Sequence, residues 1–594
     1  MSTQQISPAL RGNLRPVRLG IDVGTYGTGY GWTILDPDGG GSGQREITKR
    51  RNWPGAPQDA VKTLTRLLLD TEGEVVAFGY DAQQKGELRN AGGKDSGLRL
   101  VESIKMLLGR TPDKAVDTTV TMGQYTDLPE RYLALFLKQV YRLAVTDIAR
   151  AGYREDQIQV CITVPAVFSD HQKQLVREAA YAAGVSQDKG ALILALEPEA
   201  AAQYALTSGV RVGTGVDAVP VDLTAPGTRF VVVDCGGGTI DITAYRRDTD
   251  GMTEIGKVRG AWRGSVYLNI AFENLILKPR FGGDKAYAKL LDRCPAAIRS
   301  MRDAWEQAKR HVTVDHSDPL YLQIPAEVAH HLSPRTKKNL KDQQGGQATQ
   351  LIVTADDIHD VFAHVIPQIV ELVEQQLVFL IDEFGQLEQP ENVLLVGGFA
   401  ESDYLRQSLV DHFTGRATIL TPPDPSGAVV AGAVRFACEP DTRARRVRYS
   451  YGASVTDDFD IYAGHREEYK IFVDGKPMCH NIFASYARAG DIVPTTQEVS
   501  GIHFPVYDTQ TAIDFDVYRS TSRNPEFVTD PSCEYIGTLQ VSVRDVVKLD
   551  MGRRGVEVRF RFGETEIDVW AYVIETGEAV HAEFDFVKLE ALAV

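Results

Sequence analysis

Two stretches of this chain share one uncommon form. "GIDVGTYGTG" (residues 20–29) and "VDCGGGTID" (233–241) each carry an apolar strand into an aspartate, then glycines and a threonine, and then resume extended structure. Glycines weaken a strand interior. A glycine cluster between two extended runs therefore marks either a hairpin turn or a place where something comes too close for a Cβ. One such unit alone is compatible with an ordinary hairpin. Its recurrence in both halves of residues 17–437, with a Gly-Gly turn at Gly397 and Gly398 after a third apolar strand, constrains the chain far more. A tight turn between strands aims successive backbone N–H groups at one spot, a concavity suited to an anion. Glycine admits phosphate oxygens there, Thr25 and Thr239 add hydroxyl donors, and Asp22 and Asp234 at the strand ends suit a hydrated magnesium ion. Neither loop runs directly into a helix, so dinucleotide binding of the usual type fits poorly. A Gly-x-x-x-x-Gly-Lys-Ser/Thr loop is absent from the sequence.

With 594 residues the chain exceeds one hydrophobic core, and two to four domains are expected. A formal net charge of −16 argues against nucleic acid as partner, because that binding rests on neutralising phosphates. The basic run "RARRVR" (443–448) reads as a solvated linker. Six scattered cysteines without a Cys-x-x-Cys pair suit a reducing compartment rather than a disulfide framework or a zinc ribbon. The first residues hold no apolar signal region, and no apolar run approaches membrane-spanning length. A cytoplasmic protein without a membrane span is the expectation.

Residues 1–16 read as a flexible leader. Apolar spacing predicts a helix over 131–150. A strand, a turn at Pro165 and a helix from near Ser169 are expected within 157–185. A strand and a helix with Pro198 in its first turn are expected over 193–206. Residues 207–228 and 333–350 read as surface loops, and 355–383 as one long helix. A strand, a Gly-Gly turn and a helix are expected over 391–410. The small-residue run 424–437 reads as a helix suited to close packing. Beyond about residue 445, short alternating runs such as "TAIDFDVYR" and "GVEVRFRFG" predict a separate all-β domain.

The ordered set of motifs resembles the actin-like ATPase superfamily, and within it the 70-kDa heat-shock chaperones. "GIDVGT" is similar to the first phosphate motif, "LEPEAAAQYAL" to the first connecting motif and "VDCGGGTIDIT" to the second phosphate motif. "LLVGGFAES" resembles the adenosine motif, "DPSGAVVAGAV" the second connecting motif and "WEQAKRHVT" the adenosine-contacting helix. "VGGFAES" resembles the divergent heat-shock 70 kDa protein 12 type branch. "YARAGDIVPTTQEV" and "AIDFDVYR" resemble the substrate domain, so the likeness covers nearly the whole chain. The resemblance implies an α/β actin-like ATPase fold, with two duplicated ribonuclease-H-like lobes around a cleft (17–228 and 229–437). A linker (438–448) and an all-β sandwich (449–594) without a helical lid follow.

The resemblance also implies ATP or ADP and Mg²⁺ as cofactors. Its catalytic set is Asp22, Lys105, Glu197, Asp234, Thr239 and Asp241, with Asp22, Glu197 and Asp234 holding magnesium through water. Nucleotide contacts fall on Gly24, Thr25, Tyr26, Gly236, Gly237, Gly238, Thr239, Glu306, Lys309, Arg310, Gly397, Gly398 and Phe399. Pro165 and Lys173 match positions that relay nucleotide state, with Lys173 in place of the usual arginine. Read without the resemblance, several of these residues have plainer explanations. Glu197 is also a fitting partner for a helix N-terminus, and Lys105 an exposed helix lysine. Glu306, Lys309 and Arg310 are also a solvated salt-bridge face, and Asp241 a solvent-facing strand residue. Cys235 is a small core residue unless exposure makes it a redox switch.

Three departures from the family stand out. Phe399 and Glu401 replace a small polar residue and an arginine at the adenine. "EPDTRARRVRYS" stands where an acidic-leucine linker is usual. The lid is missing. The implied function is an ATP-binding, slowly hydrolysing stress-response chaperone that holds extended polypeptide through residues 449–594 and works with co-chaperones. The alternatives are a nucleotide-dependent scaffold with weak or no hydrolysis and, further off, a small-molecule kinase of the same superfamily.

Overall fold

The computed structural model describes residues 15–35, 46–56, 59–90, 97–108, 128–188, 190–213, 218–344, 349–562 and 567–582. The expected leader lies outside them up to residue 14. The chain divides into two compact units. The first comprises 1–168, 175–244 and 258–440, and the second 169–174, 245–257 and 441–594.

Two sheets organise the first unit, and they share one strand order. In one, β1 (Val17–Val23) forms a hairpin with β2 (Gly27–Ile34). On its other side it pairs in parallel with β3 (Ile158–Val164), which pairs in parallel with β4 (Leu192–Leu196). The helix α1 (Glu197–Ser208) follows at once. In the other sheet, β5 (Arg229–Cys235) neighbours β6 (Ile240–Arg247) across the second glycine loop. It pairs in parallel with β7 (Glu391–Val396), which pairs in parallel with β8 (Ala417–Thr421), and α2 (Ala428–Cys438) follows. The recurring sequence unit is thus a recurring topology. In each case the aspartate is the next-to-last residue of a strand buried along nearly its whole length.

The helices α1 and α2 meet through small residues. A Cβ on Gly432 would lie 1.8 Å from the Ala200 carbonyl oxygen, and one on Gly20 would lie 2.6 Å from Val434 N, so α2 is pressed against both α1 and β1. Backbone on both sides leaves nothing flexible to give way. Gly432→Val should therefore destabilise the unit by about 3 kcal/mol or more, whereas Gly398→Ala, whose Cβ meets nothing within 4 Å, should stay within about 0.5 kcal/mol. Chemical denaturation of the two variants checks this.

Several local expectations are corrected. Residues 333–350 are not all loop. Ser333 caps a helix over Pro334–Gln343 by accepting from Thr336 N–H at 3.1 Å, Pro334 stands at its first turn, and Thr336 and Leu340 are buried. The long helix is two, Ala355–Phe362 and Ile366–Phe384, bent by 42° at the break between them. Strands Val210–Val212 and Val219–Val221 pair within the stretch read as an exposed loop. Among the described residues no single helix is long and apolar enough to cross a membrane.

The second unit holds two largely antiparallel groups of strands. One sheet runs in the order 470–473, 476–487, 450–458, 512–520, 533–542, and the other in the order 498–503, 556–561, 568–573, 579–582. Alternate residues of both, including Phe515, Val517, Leu539, Val558, Phe560 and Ala571, meet in one core. Period-two patterning produces this directly, because successive side chains leave a strand on opposite faces. The basic run is not a solvated linker. Residues Thr442–Arg446 form a strand that pairs with 252–253 and 492–494, and Arg445 is buried 3.9 Å from Glu254. Lys173 lies 3.3 Å from Asp170, whose other oxygen is 3.3 Å from Arg519.

Candidate functional site

The turn between β1 and β2 is held from behind by Thr65. Its hydroxyl donates to the Gly24 carbonyl at 2.6 Å and its N–H to the Tyr26 carbonyl at 2.9 Å. A trans peptide points its C=O and the next N–H in opposite directions. The amides of Thr25 and Gly27 therefore face away from Thr65.

The second loop is held in the same way from another quarter. The carbonyls of Gly236, Gly237 and Gly238 accept from the amides of Ser265 (3.1 Å), Val266 (2.8 Å) and Gly264 (3.0 Å), just before and at the start of helix Val266–Phe272. The amides of Gly237, Gly238 and Thr239 are turned the opposite way. Two arrays of N–H groups with fixed orientation result, the arrangement that binds anions.

The two loops touch. A Cβ on Gly238 would lie 2.2 Å from Thr25 Oγ1, and one on Gly237 would lie 3.0 Å from Tyr26 Cβ. Gly397, at φ +90°, covers the end of β5, where a Cβ would lie 2.4 Å from Asp234 Oδ1. Together these turns line a cavity of about 350 Å³, a size suited to a small-molecule ligand. The three glycines thus have two reasons: an accessible backbone and direct contact between loops.

Charge is concentrated at the floor. Asp22, Glu197 and Asp234 are buried and line the cavity. The Lys105 ammonium pairs with Glu197, both almost wholly buried, and Lys62 Nζ lies 2.6 Å from Asp22 Oδ2. Thr163 Oγ1 donates to Asp22 Oδ1 at 3.4 Å. Burial pushes the Glu197 carboxyl above its ordinary range, as do Asp234, Asp22 and Asp241, against the pull of Lys105. Asp234 is raised to about 7 by burial and then by Asp241 and Asp22. Burial favours neutral Lys62, but the attraction of Asp22, Asp234 and Glu197 wins and holds it protonated. Among the described residues no three His, Cys, Asp or Glu side chains converge as direct ligands for one ion. The three cavity carboxylates fit a cation held through its water shell.

Another part of the wall comes from the end of helix Pro295–Ala308, which Trp305 anchors by stacking on Phe272 at 4.4 Å. Lys309 Nζ donates to Glu306 (2.7 Å), Asn269 (2.9 Å) and the Ser265 carbonyl (3.1 Å). This is not a solvated face, since Glu306 and Lys309 are both buried, and burial lowers the Lys309 pKa. Arg310, 41% exposed, lies 3.9 Å from both Glu306 and Glu401. Glu401 thus faces an arginine at the cavity wall. Phe399 lines the cavity but is only 4% exposed.

Of the residues singled out from sequence, Asp22, Gly24, Thr25, Tyr26, Lys105, Glu197, Asp234, Gly236–Gly238, Thr239, Glu306, Lys309, Arg310, Gly397, Gly398 and Phe399 all line this one cavity. Asp241 does not. It is fully buried behind the loop rather than solvent-facing, and its Oδ1 accepts from Val167 N–H at 2.9 Å. Cys235 is also fully buried, and burial next to Asp234 and Asp241 raises its thiol far above the usual range, which makes it a core residue and not a redox switch. The sequence marks neither Lys62 nor Thr65. Both come from "AVKTLTRLLL", where no local pattern separates them from ordinary strand residues.

Residues 225–420 match a family model described as a domain of unknown function, DUF8340. Human heat shock 70 kDa protein 12A is 27% identical over an alignment covering 96% of this chain and 92% of its own length. Human heat shock 70 kDa protein 12B is 25% identical, covering 96% and 91%. Chaperone protein DnaK 3 of Synechococcus sp. is 25% identical over 56% of this chain and 47% of its own length. Such relatives imply an actin-like ATPase fold. Over nearly its whole length the chain is thus similar to the divergent heat-shock-70 branch represented by heat shock 70 kDa proteins 12A and 12B.

Proposed function

We propose that this protein binds ATP and ADP in the cavity between its two glycine loops and hydrolyses ATP slowly. The observation that carries the reading is the pair of oriented amide arrays facing a floor of buried carboxylates and lysines. Phosphate oxygens would take the amides of Thr25, Gly27, Gly237, Gly238 and Thr239, with the Thr25 and Thr239 hydroxyls as further donors. Adenine and ribose would lie toward Glu306, Lys309, Arg310 and the Gly397–Phe399 turn. Asp22, Glu197 and Asp234 would hold magnesium through its waters, and the ion would neutralise phosphate charge. Lys105 would stabilise charge on the transferring phosphoryl group, a role for which a buried, fixed cation is effective. Asp241, behind the loop, would act by positioning it through Val167. In this reading 17–228 and 229–437 are the two lobes, and the two sheets of 449–594 form a β-sandwich that holds extended polypeptide.

A second reading, a nucleotide-dependent scaffold with little hydrolysis, is favoured by one observation. Lys105 is already committed to Glu197 in a buried pair and would have to leave it to reach a phosphate.

Titration calorimetry of the full chain with ATP, ADP and magnesium tests the shared core of both readings, for which micromolar or tighter binding is expected. Heat within error of buffer for both nucleotides would remove it. Single-turnover hydrolysis separates the two readings. Binding of a peptide array that shifts with nucleotide would support the chaperone cycle, whereas binding indifferent to nucleotide would favour the scaffold.

A further inference from the structure

We infer that Lys62 is a resident cation of the nucleotide cavity, placed on Asp22 so that phosphate binding depends only weakly on a divalent ion. This rests on the nucleotide reading above.

The placement is built into the fold. Asp22 on β1 pairs directly with Gly29 on β2. A Cβ on Gly29 would lie 3.0 Å from Lys62 Cγ and 2.8 Å from the Val61 carbonyl oxygen, and one on Gly27 would lie 3.3 Å from Lys62 Cβ. The Lys62 stem therefore lies flat on the strip of β2 that lacks side chains, opposite Asp22, and its ammonium reaches the carboxylate at 2.6 Å. This accounts for the extra glycines of "GTYGTG", which the turn itself does not require. The strand Thr63–Leu64, paired with Gly27 and Thr28, fixes the segment in register immediately after Lys62.

The electrostatics favour the same role. Asp22, Glu197 and Asp234 face a cavity that would also take several phosphate charges. Lys105 balances Glu197 and Lys62 balances Asp22. An ammonium is a compact point charge with three donors, able to serve a carboxylate and a phosphate oxygen together. Lys62 lines the cavity, with its side chain 20% exposed. With Asp22 already neutralised, a divalent cation has less to gain there.

The test is ADP and ATP affinity of the full chain by calorimetry, in magnesium and in excess chelator. For the wild type, chelation should weaken ADP by less than about tenfold, whereas in Lys62→Met it should weaken it by about a hundredfold or more. Lys62→Arg, which keeps a cation on the same strip, should fall between them. Loss of wild-type binding on chelation by about a hundredfold overturns the inference whether or not the variants fold. Equal magnesium dependence in wild type and Lys62→Met also overturns it. No binding in either condition overturns the nucleotide reading itself, and this inference with it.

Discussion

Lys105→Ala should slow single-turnover ATP hydrolysis by about a hundredfold or more while changing ADP affinity by less than about fivefold. The side chain sits on a short helical turn, Ile104–Leu107, whose four residues are all buried, and its ammonium lies 5.9 Å from the Phe168 ring centre. A cation so enclosed stays at the cavity floor, and once released from Glu197 it can meet charge that develops only during the reaction. Its removal has a second consequence, because Glu197 loses its buried partner. A carboxylate already pushed upward by burial and by three other acids then takes up a proton more readily. The two effects are separable in a double-mutant cycle with Glu197→Gln. If Lys105 acts on the phosphoryl group, Lys105→Ala still slows hydrolysis in the Glu197→Gln background. If it only holds Glu197, the further loss disappears. Turnover that is unchanged by Lys105→Ala, or absent in the wild type, would leave the scaffold reading in possession.

The parts of the site legible in sequence are those whose chemistry is local. A strand ending in aspartate and glycines announces a hairpin with an exposed backbone wherever it occurs, and two copies announce a duplicated topology. The connecting helices were legible for a similar reason, since "AVVAGAV" carries almost no side-chain volume and suits close approach; Gly432 meets the backbone of Ala200. The illegible parts are those in which distant segments meet. Thr65 holds the first loop from 41 residues away in sequence, and Lys62 reaches Asp22 across a strand. Neither has a spacing to read. The polar stretch around Lys337 reads as a loop because its exposed face is strongly charged. Two small signals, the Ser333-Pro334 start and the buried Leu340, make it a helix. The strand Thr442–Arg446 was hidden in the same way. Its arginines suggest solvent, yet Arg443 donates to the Asp250 carbonyl and Arg446 to the Ile255 carbonyl, both at 2.8 Å. Long side chains can cover apolar surface with their stems while the charged ends find acceptors.

The spacing between the two loops leads to the other large effect. Gly238→Val should reduce ADP affinity by about a hundredfold or more, about 2.7 kcal/mol, in protein that still folds. The added Cβ would begin 2.2 Å from Thr25 Oγ1 and 2.9 Å from Thr25 Cβ, so the loops must separate. The second loop has nowhere to retreat. Its carbonyls are held by the amides of residues 264–266, and Gly264 lies so close that its own Cβ would come within 2.5 Å of the Gly236 and Gly237 carbonyl oxygens. The strain therefore falls on the first loop, which is held to Thr65 only through the Gly24 and Tyr26 carbonyls and the Thr28 hydroxyl. Displacing it spreads the two amide arrays, and phosphate oxygens that fit both in the wild type would reach only one. Denaturant unfolding run alongside calorimetry separates this from simple instability. Affinity should fall by much more than the fraction of unfolded protein explains, whereas Gly432→Val should lose stability first and binding only as it unfolds. If the two variants lost affinity in the same proportion to stability, the contact between the loops would be ordinary packing and not the feature that sets the spacing of the phosphate donors.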